Sequence, residues 1–407
     1  MKKYAFFLSL IGLSVGTVSC SGDTSTSGQN TTPTCMDGAK NGTETDVDCG
    51  GSCGACINGK ACTAAKDCLS QICSGGLCQS PSCTDGVKNG TETDVDCGGP
   101  CTACADGKAC LQFGDCQSKV CGAGNTCKTA SCSDGAKNGT ETDVDCGGPG
   151  CTGCDPGKAC ATDTDCNGGI CTAAKTCRLA QSCAELHTAQ PTFPSGIVTI
   201  KADGPVGTDT AFPVYCDMTN SGGGWTMIFK VSSGIDVDPI GAWNGNPQNE
   251  NNMALLSVQP NTTSPYVNRI ISRYWNAGGF AIKEARAVMY TAGAIGAFLQ
   301  FNVSGIDKVG WFSQAALTSS SYTDVKTSGV NFFSMVGDSG IGRHFYVNQT
   351  YAGCPSDLGW FIVNRGTACS WETTRGNPLR LLYSNQKTVM NWNNAIGVAD
   401  VFAIFVR

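Results

Sequence analysis

The chain has 407 residues, 15% of them charged, and a formal net charge of -6 at pH 7. This length allows more than one domain, and mild acidity with no arginine before Arg178 excludes the basic footprint of a nucleic-acid binder. His187 and His344 are the only histidines, so few candidates exist for an imidazole base.

At the N-terminus, Lys2 and Lys3 precede an apolar run from Ala5 to Val18, and the small residues Gly16, Thr17 and Ser19 lead to Cys20. This order reads as an export signal over 1–19, and its apolar run is shorter than the roughly 20 residues a membrane-crossing helix needs. The segment resembles the lipobox of bacterial lipoproteins, with Thr17 standing where that pattern prefers Leu. The resemblance implies cleavage before Cys20, lipid attachment to its thiol, and a secreted protein held at the bacterial cell surface or outer membrane. Residues 20–34, rich in Ser, Thr, Gly, Asn and Pro, are expected to be a disordered tether.

The 29 cysteines divide as Cys20, eight in each of three repeats, and four in the remaining chain. The repeats cover 35–78, 83–127 and 132–177, each opening with C-x-D-G-x-K-N-G-T-E-T-D-V-D-C-G-G. Even counts in an exported chain predict disulfide frameworks. Phe113 is the only aromatic residue between Ser21 and Cys177, so burial alone cannot hold units this small. Four bridges at about 2–4 kcal/mol each would hold them, as rigid modules with little regular secondary structure. Eight cysteines allow 105 pairings, and the sequence leaves the choice open. Cys53 and Cys56 have zinc-like spacing, but the array lacks histidine, so disulfides are expected there too.

The repeats hold 18 acidic residues against 9 lysines. In an extended segment Glu44, Asp46 and Asp48 would direct their carboxylates to one side, and Asp37 and Asn41 could close an oxygen cage around Ca2+. The set recurs as Asp85, Asn89, Glu92, Asp94 and Asp96, and as Asp134, Asn138, Glu141, Asp143 and Asp145. The competing reading is that the Asn-Gly and Asp-Gly pairs form turns and the acids cap backbone donors. No organic cofactor is implied.

Composition changes near Arg178: all seven tryptophans lie from Trp225 onward, with short apolar runs such as Phe298 to Val303 and Val401 to Val406. Phe212 to Cys216 and Trp225 to Val231 read as strands and Asn268 to Trp275 as a short helix, giving a mixed α+β domain over 182–407. Ser182-Cys183, Ser195-Gly196, Val214-Tyr215-Cys216-Asp217-Met218 and Gly222-Gly223-Gly224-Trp225-Thr226 together resemble the opening of the fibrinogen C-terminal domain family. The resemblance implies a Cys183–Cys216 bond, a core position for Trp225, and a second bond between Cys354 and Cys369 framing a recognition pocket. Fibrinogen-like and intelectin-like domains bind acetylated or other exposed groups of glycans, so a lectin-like activity is implied. The family's aspartate-rich calcium loop is missing here, and calcium dependence does not carry over.

A sugar site combines an aromatic face with fixed polar partners. Asp357, Trp360, Trp371 and Glu372, with Asn348 and Tyr351 on the approaching strand, are the candidate contacts, although Trp360 beside Phe361, Ile362 and Val363 also reads as core. Gly337-Asp338-Ser339-Gly340 resembles a serine-protease nucleophile loop, but His344 lies five residues beyond Ser339 and no triad pattern accompanies it. The expectation is a non-enzymatic surface protein whose partners are extracellular glycans, the alternative being a structural or protein-binding role.

Overall fold

The computed structural model describes residues 34–261, 263–275 and 280–407. The export signal, Cys20 and nearly all of the tether lie outside the described residues. The chain forms two compact units. One contains the described residues up to Gln117 together with Ala123–Thr126, and the other contains Ser118–Gly122 and everything from Cys127 onward.

Within the first repeat the bridges are Cys35–Cys53, Cys49–Cys56, Cys62–Cys73 and Cys68–Cys78. The third repeat pairs its cysteines in the same order, from Cys132–Cys151 to Cys166–Cys177. Regular structure is limited to one short turn of helix and a tiny hairpin per repeat, such as Cys73–Ser74 with Leu77–Cys78. The interior of the first repeat is sulfur, with Cys56, Cys62, Cys68 and Cys78 buried. Beside it Asp67 accepts the amides of Gly51, Thr63 and Ala64. Those three bonds hold its carboxyl well below the usual carboxylate range.

The remainder is mostly sheet. Helix α1 (Cys183–Ala189) starts where the Ser182 side chain accepts the Glu185 amide. An antiparallel sheet follows from β1 (Gly196–Ile200), β2 (Phe212–Asp217), β3 (Trp225–Ser232), β4 (Glu284–Thr291), β5 (Ala294–Asn302) and β6 (Leu317–Ser320). A second is built from β7 (Phe332–Ser334), β8 (Arg343–Thr350), β9 (Leu358–Asn364), β10 (Arg380–Tyr383) and β11 (Gly397–Ala399), while β12 (Val401–Val406) returns to the first. Spatial order is β6-β5-β4-β12-β3-β2-β1 in the first sheet and β7-β8-β9-β10-β11 in the second. The segment expected as a helix over Asn268 to Trp275 is a single wide turn, Ile270–Tyr274.

The main core lies between the sheets, where Phe229, Phe345, Phe361 and Phe402 meet. Strand β3 is buried along its whole length because its other face is covered by Leu255 and Leu256. Its polar side chains are satisfied there: Thr226 accepts the Cys183 amide, and Lys230 donates to the carbonyls of Ser257 and Gln259. Before β3, Gly222, Gly223 and Gly224 all have positive φ, and a Cβ on Gly223 would lie 2.3 Å from the Met218 carbonyl oxygen. Trp225 follows this turn and is fully buried.

The third repeat packs on this part of the chain. Gln190, after α1, is buried and donates to carbonyl oxygens of Asp163, Cys166 and Gly169, while Arg178 pairs with Glu185 at 2.6 Å. The compositional break near Arg178 is therefore not a break in packing.

Candidate functional site

Five of the six expected ligand contacts are interior. Arg343 on β8 sends Nε to Glu372 Oε1 at 2.8 Å and Nη1 to Asp357 Oδ2 at 3.3 Å, and all three side chains are 0% exposed. The guanidinium lies 4.7 Å from the Trp371 ring centre, and Trp371 stacks on Trp392. Trp360 sits in the main core, its Nε1 2.7 Å from Asp324 Oδ1. Asn348 accepts the Phe332 amide and donates to Tyr346 Oη and the Thr350 carbonyl. Asn348, Asp357, Trp360, Trp371 and Glu372, expected to meet a ligand, are buried: Asp357 and Glu372 face Arg343, Trp360 faces Asp324, and Asn348 faces Phe332, Tyr346 and Thr350, as buried charged and polar groups require partners. Only Tyr351, 43% exposed and 5.1 Å from the Arg343 guanidinium, reaches solvent.

These interior groups fix a loop beside the second disulfide. Cys354 and Cys369 are bonded, and the Cys369 amide donates to Glu372 Oε2 at 2.7 Å. Three residues earlier, the Gly366 amide donates to Asn364 Oδ1 and its carbonyl accepts Arg380 Nη1. A Cβ on Gly366 would stand 2.5 Å from Glu372 Oε1, so a glycine permits this close approach. The outer side of the loop borders a cleft of about 450 Å³ lined by Asp236, Gly340, Ile341, Gly342, Arg365, Gly366, Thr367, Ala368 and Pro378. Arg365 Nη2 lies 2.7 Å from Asp236 Oδ1, and Asp236 is 89% exposed. Such a surface pair contributes only about 0–1 kcal/mol, so an arriving ligand can replace either partner.

Sequence reasoning missed Arg365, Thr367 and Asp236, which carry no motif. Gly337-Asp338-Ser339-Gly340 did stand out, and it forms the hairpin turn closed by Asp338 and Arg343, bringing Gly340 to the cleft. His344 directs Nδ1 to the Val336 carbonyl oxygen at 2.8 Å and Nε2 toward Asp238 at 3.8 Å.

In the repeats most of the expected metal ligands accept N–H groups instead. Asp48 accepts the amides of Asp37 and Gly38, Asp37 accepts Asn41 Nδ2 and the Ala39 amide, and Asp46 accepts the amides of Val47 and Ala61. Asp85 with Asp96, and Asp134 with Asp145, repeat the first arrangement, while Asp94 and Asp143 repeat that of Asp46. These aspartates therefore cap backbone and side-chain donors, the arrangement the turn-and-cap reading expects. Asn41, Glu44 and their counterparts Asn89, Glu92, Asn138 and Glu141 each retain an oxygen outside this scheme.

No known family profile matches the chain, and no curated protein matches it. Solved structures similar to it include the fibrinogen-like globe domain of human ANGPTL6, at 14% identity and a TM-score of 0.27, covering 56% of this chain and 96% of that one. The fibrinogen-like globe domain of human ANGPTL2 is also similar, at 14% identity and a TM-score of 0.24, covering 56% of this chain and 98% of that one. Among the described residues no helix is long and apolar enough to cross a membrane, and the many disulfides indicate an oxidising, extracellular setting.

Proposed function

We propose that this chain is a lipid-anchored surface recognition protein, and that its C-terminal domain binds extracellular carbohydrate in the cleft beside Arg365 and Thr367. One observation carries the reading: Asn364, Glu372 and Arg380 hold the 366–369 loop from inside, while its outer face stays open beside a weak ion pair. A polar cleft with a braced wall needs little reorganisation on binding, as recognition of hydroxyl-rich ligands requires. The fibrinogen-like residues between Ser182 and Thr226 support the lectin assignment by resemblance, and the lipobox-like residues before Cys20 support the anchor.

The test is a glycan array probed with the purified, oxidised chain, in calcium and again in chelator, beside an Arg365→Ala variant. Saturable binding to one carbohydrate class, weakened at least tenfold by the substitution with no loss of thermal stability, is expected. A folded chain that binds no glycan overturns the carbohydrate reading and favours a protein ligand.

A further inference from the structure

Each repeat contains an Asn-Gly-Thr-Glu turn that leaves two oxygens without donors. The turn closes from the Glu44 amide to the Asn41 carbonyl at 3.1 Å, and identically placed bonds close Asn89 to Glu92 and Asn138 to Glu141. The central glycines have φ of 59°, 57° and 54°, a conformation that favours glycine. Asn41 Nδ2 donates to Asp37, which fixes the orientation of its carboxamide and leaves Oδ1 buried with no hydrogen-bond partner. Asn89 Oδ1 and Asn138 Oδ1 are in the same condition.

The glutamate facing each asparagine uses one oxygen only. Glu44 Oε2 accepts the amides of Asn41 and Asp48, and Glu44 is 9% exposed. Its Oε1 contacts Cys53 Sγ at 3.6 Å, and Glu92 Oε1 contacts Cys101 Sγ at 3.4 Å. Both sulfurs are in disulfides and carry no proton to give. Glu141 Oε1 is likewise buried without a partner. The asparagine, the glutamate and a half-cystine line one small cavity in every repeat, of about 210, 110 and 170 Å³ in turn.

We propose that each Asn-Gly-Thr-Glu turn binds one hard divalent cation of the calcium class, three per chain, through Asn Oδ1 and Glu Oε1. The two residues line the same small cavity and neither oxygen, one of them anionic, receives a proton, a combination a cation resolves. The disulfide sulfurs are not thiolates, so the set is an oxygen site, unsuited to soft metals. Two protein oxygens completed by water fit Ca2+, which tolerates irregular coordination, and give affinities of about 10⁻⁴–10⁻³ M, as in other extracellular modules. The site is independent of the cleft at Arg365.

The experiment is calorimetric titration of the purified, oxidised chain with Ca2+ alone. Three equivalents are expected. Glu44→Gln, Glu92→Gln and Glu141→Gln keep an oxygen to accept the turn amides and remove the charge, so each should abolish one equivalent or weaken it at least tenfold. Asn89→Asp adds a carboxylate and should tighten one site about tenfold, a gain that a damaged fold cannot imitate. The proposal is overturned by no saturable binding up to 10 mM Ca2+, by three undiminished equivalents in the triple Gln variant, or by a crystal in calcium buffer with only water bridging the two oxygens.

Discussion

Gln190 Nε2 lies 2.8 Å from the carbonyl oxygen of Gly169, so a side chain from the C-terminal end of α1 completes the backbone of the third repeat. The same nitrogen also serves Asp163 and Cys166, satisfying three carbonyls from one buried amide. Gln190→Ala strips all three of this donor. A loss of about 1–3 kcal/mol is expected in urea unfolding of the chain, with faster amide exchange at Gly169 and Ile170.

Glu372 and Arg365 should separate structure from recognition. Glu372→Ala leaves Arg343 buried with Asp357 as its one remaining ion partner and frees the Cys369 amide. The expected loss is about 3–5 kcal/mol of stability, with ligand binding falling as the loop loosens. Arg365→Ala should change unfolding by less than about 0.5 kcal/mol and still weaken binding. Denaturant melts and binding curves on both variants check the split.

Trp360→Ala is expected to lower stability by about 3–5 kcal/mol because the ring fills the core between the sheets. A variant that unfolds at the wild-type denaturant midpoint would contradict the buried position.

Acid should loosen the repeats. Bonds from the Ala61 and Val47 amides lower the Asp46 carboxyl to about 2, and amide bonds also lower those of Asp67 and Asp115. A folded pKa below the unfolded value near 4 gives stabilisation that is complete above that value and lost as pH falls through the folded one. Exchange of the Ala61, Thr63 and Ala64 amides, corrected for intrinsic rates, should therefore accelerate between about pH 4 and pH 2.

Much of the architecture is legible before any coordinates. The glycine run before Trp225 and the strand-like apolar runs each reflect a local rule, and the repeats declare themselves through cysteine spacing. The interior polar network does not. Asp357 and Glu372 read as surface acids because their partner, Arg343, lies 14 and 29 residues away, and pairing at that range leaves no local pattern. Docking of the third repeat left one faint trace. Gly168 stands where the first two repeats have Ser70 and Ser118, and a Cβ there would meet Val198 at 3.4 Å.

The pairing order of the bridges also decides how a repeat responds to being pulled. In the first repeat the loop closed by Cys35 and Cys53 overlaps the loop closed by Cys49 and Cys56, and those of Cys62–Cys73 and Cys68–Cys78 overlap in turn. Tension entering at Cys35 crosses to Cys53 through sulfur and bypasses the backbone between them, so that slack stays locked away. A fully extended chain lengthens by about 3.3–3.6 Å per residue released, and the repeat can release most of its residues only after its bridges are reduced. Under drag each module is therefore an almost inextensible link whose length is set by redox state rather than by force.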